Sequence, residues 1–418
     1  MATSVIKWEQ GEGNIVATYE GSGNGPIAIT LEPNTGDARQ QEITIKTTDE
    51  SKIVTILVKQ AGGVVQHTYT RLTYIESTRA QHIKLGYQLK ETDTIDVLYQ
   101  SINIESVDQF LFGAPNTWFS TYNNSGYVRF GHSSSTTLTN GAWRWKMQLS
   151  KGKLIQNGIT TTTLGYTSVA DGYLCLFSGN SSAGVAYNRG AFRVLYFRIN
   201  SAEGEIMNLA PAKRDSDGKV GMLDLVSGKF FVNADDGEDF IGGNEVRISE
   251  DYELIDKVNF NNDKAYDTEV YGNEQTYIDV LFQRTDTSGA DYLFGCSSGN
   301  RLTGYLTTSG YWRYGSAYPT FNTANKNVFW AQVTPTKTSL NETNRSFSTS
   351  AFTTAFTLPL GGHKPSSGVI TKTYQGDVYY FRIKQGNELV VDWYPCVRKS
   401  DGIQGFWDCL AQKFIEPV

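Results

Sequence analysis

The chain contains one long pattern of residues twice, and this duplication limits its architecture more than any other feature. The sequence at Val194–Ile199 returns, with one substitution, at Val378–Ile383. A longer block at Pro211–Phe231 returns at Pro395–Ile415, with the same offset of 184 residues. Because both order and spacing are kept, these stretches predict two copies of one folded unit.

Two further blocks extend the duplication towards the N-terminus. Ser125–Gly131 corresponds to Ser309–Gly315 at the same offset, and Ile95–Tyr99 corresponds to Ile278–Phe282 one residue out of register. Four ordered blocks divide the chain into three predicted domains. These are a leader of residues 1–63, a first copy of residues 64–247 and a second copy of residues 248–418.

The composition indicates that the three segments are built from β-strands. Aromatic residues make up 13% of the chain, with 24 Tyr and 21 Phe, and charged residues make up 19%. Tyr, Phe, Val, Ile and Thr suit the half-buried surface of a pleated sheet, and long runs of Ala, Leu, Glu and Lys are missing. The expected fold class is all-β.

The charge and hydropathy patterns argue against several classes of partner. The net charge is −6 and there is no Lys/Arg stripe, so no nucleic acid is expected. No apolar run approaches the roughly 18 residues of a membrane span, so no membrane partner is expected. The N-terminus lacks the basic and apolar regions of a secretory signal, which fits assembly without secretion or removal of the signal.

The leader alternates apolar and polar residues in short segments. Ile27–Leu31, Glu42–Lys46 and Ile53–Lys59 are predicted strands, and the stretches between them are rich in turn residues. The sequence at Pro33–Gly62 resembles the BACON domain, an immunoglobulin-like module of gut Bacteroidetes and of phages that infect them. The resemblance implies a small immunoglobulin-like sandwich that acts as a spacer, and Gly62-Gly63 is interpreted as a hinge.

Both copies show short alternating segments at intervals of roughly ten residues, which predicts two-sheet jelly rolls. The opening motif at Leu72–Ile83, the Tyr-Phe-Arg-Ile strand and the closing motif at Pro211–Phe230 resemble a concanavalin-like, laminin-G-like domain. Structural proteins of Bacteroidetes phages, such as crAss-like phages, use this domain. The resemblance covers the first copy and, less fully at its start, the second. It implies two tandem jelly-roll sandwiches of the laminin-G type.

The closing motif also has a structural interpretation that needs no family. Asp217-Gly218 predicts a hairpin turn in which Gly supplies a positive φ, and Gly221 predicts a close backbone approach. Asp224 is expected to tie a turn or to pair with Arg214, and Phe230 is expected to fill the core. The equivalent residues of the second copy are Asp401-Gly402, Gly405, Asp408, Arg398 and Phe414.

No arrangement of residues predicts an enzyme. A sandwich glycosidase carries carboxylates at alternating positions of one strand, and no predicted strand shows that pattern. A Gly-x-Ser-x-Gly elbow is absent. The histidines are not repeated between the copies, so we expect surface residues rather than bases or metal ligands at His67, His82, His132 and His363.

Neither the cysteines nor the acidic residues predict a metal centre, and no cofactor is expected. The cysteines form no Cys-x-x-Cys pair, although the last two flank one turn. Two acidic stretches, Asp215–Gly218 and Asn233–Asp239, offer oxygen ligands for calcium, with solvated turns as the simpler interpretation. At the repeat offset Cys396 and Cys409 correspond to Ala212 and Leu225, so small apolar core residues are expected at these two positions.

Carbohydrate binding needs exposed rings, on which the CH faces of sugars stack, with polar side chains for the hydroxyls. Unrepeated aromatics in predicted polar loops are therefore the candidate carbohydrate-binding residues, namely Trp118, Tyr122 and Tyr318, with core or subunit contacts as the alternative. Repeated aromatics are assigned to the shared core: Tyr127 with Tyr311, Phe130 with Tyr314, Tyr196 with Tyr380, Phe197 with Phe381, and Trp145 with Phe329.

The resemblance implies a phage virion structural protein, a surface appendage or decoration of head or tail that attaches to host glycans or to capsid neighbours. One alternative is a bacterial surface glycan-binding protein without its signal peptide. Another is a purely architectural capsid or fibre component with no ligand. The expected partners are other virion proteins, host surface glycans and, in a homo-oligomer, further copies of the chain; the expected location is the virion.

Overall fold

The computed structural model divides the chain into two compact units, Met1–Thr68 and Tyr69–Val418. Within the residues that the structure describes, every regular element is a β-strand and every strand pair is antiparallel. The described residues are 7–9, 17–20, 28–31, 39–46, 53–60, 68–102, 107–123, 125–131, 136–139, 144–157, 159–163, 166–169, 172–180, 186–235, 237–286, 289, 291–296, 301–307, 310–321, 323, 328–341 and 343–418.

The first unit contains a three-stranded sheet of order β1-β4-β5 and a separate hairpin of β2 and β3. The three strands predicted from alternation are confirmed as β3, β4 and β5. The interpreted hinge at Gly62-Gly63 lies outside the described residues, and the immunoglobulin-like assignment stays a prediction. The strands are β1 Lys7–Glu9, β2 Ala17–Glu20, β3 Ala28–Leu31, β4 Arg39–Lys46 and β5 Ile53–Gln60.

The second unit begins with a sandwich of two sheets. Its large sheet has the order β16-β15-β14-β9-β20-β21-β22-β23, with β6, β7, β24 and β25 attached, and its small sheet has the order β13-β12-β11-β10-β17-β8; β18 and β19 form a hairpin. The strands are β6 Tyr69–Leu72, β7 Ile75–Glu76, β8 Ile83–Gln88, β9 Thr94–Ser101, β10 Gln109–Ala114, β11 Thr117–Tyr122, β12 Ser125–Phe130, β13 Thr136–Thr139, β14 Arg144–Ser150, β15 Lys153–Gln156, β16 Ile159–Thr163, β17 Tyr173–Leu176, β18 Gly179–Asn180, β19 Ala186–Tyr187, β20 Phe192–Ser201, β21 Gly204–Arg214, β22 Val220–Asp224, β23 Phe230–Phe231, β24 Ile241–Gly242 and β25 Glu245–Val246.

A second sandwich follows with the same topology. Its large sheet has the order β35-β34-β33-β29-β39-β40-β41-β42, with β26 and β27 attached, and its small sheet has the order β28-β36-β30-β31-β32; β37 and β38 form a hairpin. The strands are β26 Tyr252–Leu254, β27 Val258–Asn261, β28 Tyr266–Asn273, β29 Thr276–Arg284, β30 Asp291–Cys296, β31 Arg301–Leu306, β32 Tyr311–Gly315, β33 Val328–Val333, β34 Lys337–Leu340, β35 Thr343–Ser346, β36 Thr353–Leu360, β37 Gly362–His363, β38 Thr371–Lys372, β39 Gln375–Gln385, β40 Glu388–Arg398, β41 Gln404–Asp408 and β42 Lys413–Ile415.

Each sandwich has its own hydrophobic core, formed where alternate residues of facing strands point inward. The expected all-β class with tandem sandwiches is therefore confirmed. The cysteines do not form disulfides, and burial raises the pKa of Cys175 to about 11 and that of Cys396 to about 12. Three of the repeated aromatic pairs lie in the two cores as expected: Phe130 and Tyr314, Phe197 and Phe381, and Trp145 and Phe329.

The closing motif forms the turn and the close approach that the sequence predicts. Gly218 and Gly402 have φ values of 72° and 73°, which L-residues with a Cβ adopt at a cost. A Cβ on Gly221 would lie 2.1 Å from a carbonyl oxygen of the next strand, and one on Gly405 would lie 2.4 Å from the equivalent oxygen. Both glycines are therefore required by the spacing of adjacent strands.

Asp224 ties the following turn, which is one of the two roles expected for it. Its Oδ1 accepts hydrogen bonds from the backbone N–H of Asn208 at 2.9 Å and of Val226 at 3.2 Å. Arg214 pairs instead with Asp217, to which its Nε donates at 3.0 Å. The second copy uses Asp408, Arg398 and Asp401 in the same two ways.

The expectation that Phe230 fills the core is wrong. Its ring lies outside the sandwich, 5.0 Å from the ring of Tyr69, with the Arg214 guanidinium 5.4 Å from its centroid. The next residue, Phe231, points into the core, because neighbouring residues of a strand face opposite sides. The second copy repeats this outer stack with Phe414, Tyr252 and Arg398.

The two sandwiches pack against each other through the outer faces of their large sheets. Leu98 and Tyr196 of the first sandwich join a buried cluster with Leu281, Trp330 and Tyr380 of the second. Assignment of Tyr196 and Tyr380 to the sandwich cores is therefore wrong. They point away from those cores and are buried because the copies meet.

Polar contacts accompany this apolar interface. The N–H of Val328 donates to the carbonyl oxygen of Asn157 at 2.8 Å. Lys146 Nζ donates to the hydroxyl of Tyr379 at 3.4 Å.

Because the two large sheets face each other, the layers follow the order small sheet, large sheet, large sheet, small sheet. The outer faces of the small sheets therefore point in opposite directions.

Candidate functional site

A row of aromatic side chains crosses the outer face of the small sheet of the second sandwich. On β31, Leu302 and Leu306 enter the core, so Tyr305 points outward. On β32, Trp312 enters the core, so Tyr311 points outward. Alternation along adjacent strands thus places tyrosines side by side on one exposed face.

The rings are close enough to form a continuous surface, which we call the aromatic row. His363 stacks on Tyr292 with 3.8 Å between centroids, and Tyr292 lies 4.7 Å from Tyr305. Tyr305 lies 4.7 Å from Tyr311, which lies 6.2 Å from Tyr318. These spacings are typical of interacting aromatic pairs. The row ends at Tyr318, whose side chain is 51% exposed.

Two arginines give the aromatic row a positive character. The Arg313 guanidinium lies 4.0 Å from the ring centroid of Tyr318, in cation–π geometry. Burial raises the pKa of Tyr292 and of Tyr311, and the positive charge of Arg301 opposes that rise. Both phenols are therefore neutral hydrogen-bonding groups at ordinary pH.

Buried polar atoms beside the rings lack partners within the described chain. These atoms are Thr303 Oγ1, Arg313 Nε and His363 Nδ1. Unpaired buried polar atoms are costly, and a bound ligand or water is the usual reason that a protein retains them. Burial lowers the pKa of His363, so its imidazole is neutral at pH 7 and has both a donor and an acceptor nitrogen.

The first sandwich carries a different set of rings on the equivalent face. Trp118 lies opposite Arg129 in the β11–β12 register, as Thr303 lies opposite Arg313 in β31–β32. The centroid of the Trp118 ring lies 5.0 Å from the guanidinium carbon of Arg129 and 5.4 Å from the centroid of the Phe110 ring. The same scaffold thus presents different side chains in the two copies.

The structure separates the three predicted carbohydrate-binding residues. Tyr318 lies at one end of the aromatic row. Its side chain is exposed, as we expected. Trp118 and Tyr122 lie on β11 of the other sandwich, so their expected position in a loop is wrong. Trp118 is half-buried by its neighbours, and Tyr122 is 39% exposed at the end of the strand.

Four members of the aromatic row were not among the binding residues predicted from the sequence. Two repeated tyrosines were assigned to the core although they lie outside it. Tyr127 and Tyr311 are half-buried on outer faces, so their assignment to the shared core is wrong. They recur because the sheet recurs, and a shared position can lie on either face. The phase of β32, in which Tyr311 alternates with Trp312, could have placed Tyr311 outside.

The structure shows which of the histidines and acidic residues are buried and which of them form pairs. His82 is only 1% exposed, so its expected surface position is wrong, whereas His363 is partly exposed on the outer face; His67 and His132 lie outside the described residues. Burial and the charge of Arg189 lower the pKa of His82. Asp235 pairs with Arg189. Among the described residues, no group of three or more His, Cys, Asp or Glu side chains has the geometry to hold a metal ion.

Comparisons with known proteins give no family assignment. No protein-family model matches the chain, and no curated protein matches it. Among solved structures, the chain is similar to domains LG4–5 of the mouse laminin α1 chain, with 11% identity over 78% of this chain and 91% of that one, at a TM-score of 0.24. It is also similar to the LG1–3 region of the laminin α2 chain, with 9% identity over 93% of this chain and 91% of that one, at a TM-score of 0.26.

The all-β fold is evident from the sheets and cores of this chain itself. Its second unit contains two duplicated sandwiches with matching strand order. The described residues contain no helix of the length and apolarity that a membrane crossing requires.

Proposed function

We propose that this protein is a non-enzymatic structural component of a phage virion, displayed on head or tail, and that it attaches to host glycans through the aromatic row. The observation that carries the glycan part is the row itself, from His363 to Tyr318. Sugars stack their CH faces on such rings and direct hydroxyls to polar groups at the edges.

The groups beside the rings suit hydroxyl recognition. The neutral imidazole of His363 and the phenols of the row supply donors and acceptors within one surface. The row lies on strands whose inner faces are held by the core, so the rings are positioned before a ligand arrives. Such preorganisation reduces the entropic cost of binding.

Support for the virion setting comes from the sequence resemblances of the leader and the two copies. Mass spectrometry of purified phage particles tests this part, and we expect the chain among the particle proteins. Recovery from the bacterial envelope in uninfected cells, with absence from particles, would favour the bacterial glycan-binding alternative.

The glycan part is tested by screening the full chain on a glycan array and titrating the best ligand. We expect Tyr305→Ala or Tyr311→Ala to weaken binding at least about tenfold, equivalent to about 1.4 kcal/mol. Tyr127→Ala is the matched control, because Tyr127 occupies the place of Tyr311 in the first sandwich but pairs with Ser120.

Two results would contradict the glycan proposal. One is an array without any bound glycan, which would favour the purely architectural alternative. The other is a bound glycan whose affinity is unchanged in Tyr305→Ala and Tyr311→Ala, which would place the binding surface elsewhere.

A further inference from the structure

A cleft lies between the two sandwiches, beside the apolar contact that joins them. Its volume is about 490 Å³, and both copies contribute to its walls. Leu195 and Tyr196 line it from the first sandwich, and Tyr380 and Tyr394 line it from the second. Sites for small molecules typically have volumes of roughly 300–1,000 Å³, so the cleft is large enough for one.

Two arginines face this cleft, and one of them is fully paired. Arg198 donates from Nε to Asn208 Oδ1 at 3.0 Å and forms an ion pair with Asp256. Glu205 lies 3.6 Å from its Nε. The carboxylates nearest to Arg198 are thereby committed to it.

The second arginine, Arg71, has no such partner among the described residues. Its Nε is buried without a hydrogen bond, and no described carboxylate lies within ion-pair distance of its guanidinium. Burial lowers the pKa of Arg71 to about 10; the charge of Asp256 opposes this shift and the charge of Arg198 adds to it. Arg71 is therefore a partly exposed cation that shares Asp256 with Arg198 and whose buried Nε has no hydrogen-bond partner among the described residues.

A cation in this position is unfavourable for an empty protein. Removing a guanidinium from water costs free energy that a close anion normally offsets. Arg71 extends from β6, which is held in the large sheet by pairing to β21 and β25, so the side chain cannot leave by a small backbone shift. An acceptor group on a ligand that enters the cleft would give the buried Nε of Arg71 a partner.

We infer that the cleft binds a small carboxylate, with the carboxyl group on Arg71 and the rest of the ligand between the leucine and tyrosine side chains of the two sandwiches. The planar fork of a guanidinium matches a carboxylate through two parallel hydrogen bonds. A doubly charged phosphate fits less well, because Asp256 and Glu205 also face the cleft and would repel the second charge.

A compact carboxylate can come from a sugar acid or from an amino-acid derivative. We therefore use D-glucuronate and N-acetyl-leucine as probes, with glucose and N-acetyl-leucinamide as their uncharged counterparts. Isothermal titration on the full chain compares the wild type with Arg71→Met, which keeps the length of the side chain and removes its charge. Arg345→Met is the control for loss of an exposed arginine outside the cleft.

We expect one of the two carboxylates to bind at least about tenfold more tightly than its uncharged counterpart. Arg71→Met should lose that preference, and Arg345→Met should keep it. Without ligand, Arg71→Met should melt at the same temperature as the wild type or higher, because a buried donor without a hydrogen-bond partner has been removed. Binding should persist in Tyr305→Ala, since the aromatic row lies on the opposite side of the second sandwich.

Three results would overturn the inference. The first is that neither carboxylate binds better than its uncharged counterpart. The second is equal binding of the carboxylate to Arg71→Met and to the wild type. The third is a lower melting temperature of unliganded Arg71→Met, which would mean that the protein itself already compensates the charge.

Discussion

Arg284 makes the second sandwich sensitive to a single substitution near the aromatic row. Its side chain is 0% exposed and forms an ion pair with Asp291 at 3.3 Å. The guanidinium also donates to the carbonyl oxygens of Thr307 at 3.2 Å, Thr323 at 2.9 Å and Gly289 at 3.3 Å. Asp291 and Thr307 flank the strands that carry Tyr292 and Tyr305, so this arginine positions those strands.

The substitution Arg284→Met leaves a buried carboxylate and three carbonyl groups without their donor. Breaking a buried ion pair by removing one partner costs about 3–5 kcal/mol. For folded units of this size, each kcal/mol lowers Tm by roughly 2–4 °C. We therefore expect Arg284→Met to lower the Tm of the second sandwich by about 6–20 °C at neutral pH.

The loss of stability in Arg284→Met should depend on pH, and the direction of this dependence follows from the protonation of Asp291. Burial raises the pKa of Asp291 above 3.8, against the attraction of Arg284. A raised pKa means that the folded chain binds the proton more readily than the unfolded chain, so this group favours folding as pH falls. Without Arg284 the pKa rises further, and the stability deficit of Arg284→Met should shrink between pH 7 and about pH 5.

Calorimetry of the full chain at both pH values measures the effect. Arg345→Met is the control, because Arg345 is exposed and its change should stay within about 0.5 kcal/mol. The double variant Arg284→Met with Asp291→Leu should recover most of the loss, since no buried charge remains. A loss below about 1 kcal/mol in Arg284→Met, or a deficit that does not change with pH, would refute the reasoning.

Three other changes test separate parts of the fold. Leu281→Asp, at a position 1% exposed between the sandwiches, should split calorimetric unfolding of the second unit into two transitions, and one unchanged transition would contradict the interface. Gly405→Ala should cost about 1–3 kcal/mol in denaturant unfolding, because its Cβ meets a carbonyl oxygen at 2.4 Å, and a neutral effect would contradict the close approach. Burial lowers the pKa of His363 below 6.5, so the unfolded chain takes up the proton first and stability is lost as pH falls through 6.5. His363→Asn should therefore weaken the pH dependence of Tm between about pH 7.5 and pH 5.5, and an unchanged dependence would exclude this histidine as its source.

The duplication predicted the tandem sandwiches because spacing between repeated blocks reports on backbone topology. The Tyr-Phe-Arg-Ile blocks lie in equivalent central strands of the two copies, β20 and β39. The closing blocks form β21 to β23 in the first copy and β40 to β42 in the second. Turn residues such as Gly218 were assigned correctly, since a positive φ is a local property of the chain. Local chemistry and periodicity therefore sufficed for the fold class and for the duplication, whereas the order of the strands in each sheet came from the structure.

The outer faces could not be predicted in the same way. Repetition of Tyr196 and Tyr380 reflects a common place on the sheet, but their burial depends on the contact between copies. Tyr292 and His363 stack although 71 positions separate them in the sequence, because β30 and the β37–β38 hairpin come together only in the folded chain. The lack of a hydrogen-bond partner at Arg71 Nε likewise depends on contacts between strands, because Asp256 pairs directly with Arg198.

The four-layer arrangement limits how the protein can use its ligand surfaces. Contact between the large sheets buries one outer face of each sandwich, so only the small sheets keep outer faces available for large partners. Those faces point in opposite directions, with the aromatic row on one and Trp118 with Arg129 on the other. Two faces with opposite directions cannot lie on one flat surface together, so they gain no avidity from a single host surface. The geometry therefore leaves the two outer faces to separate contacts, with the proposed carboxylate cleft at the junction between the sandwiches.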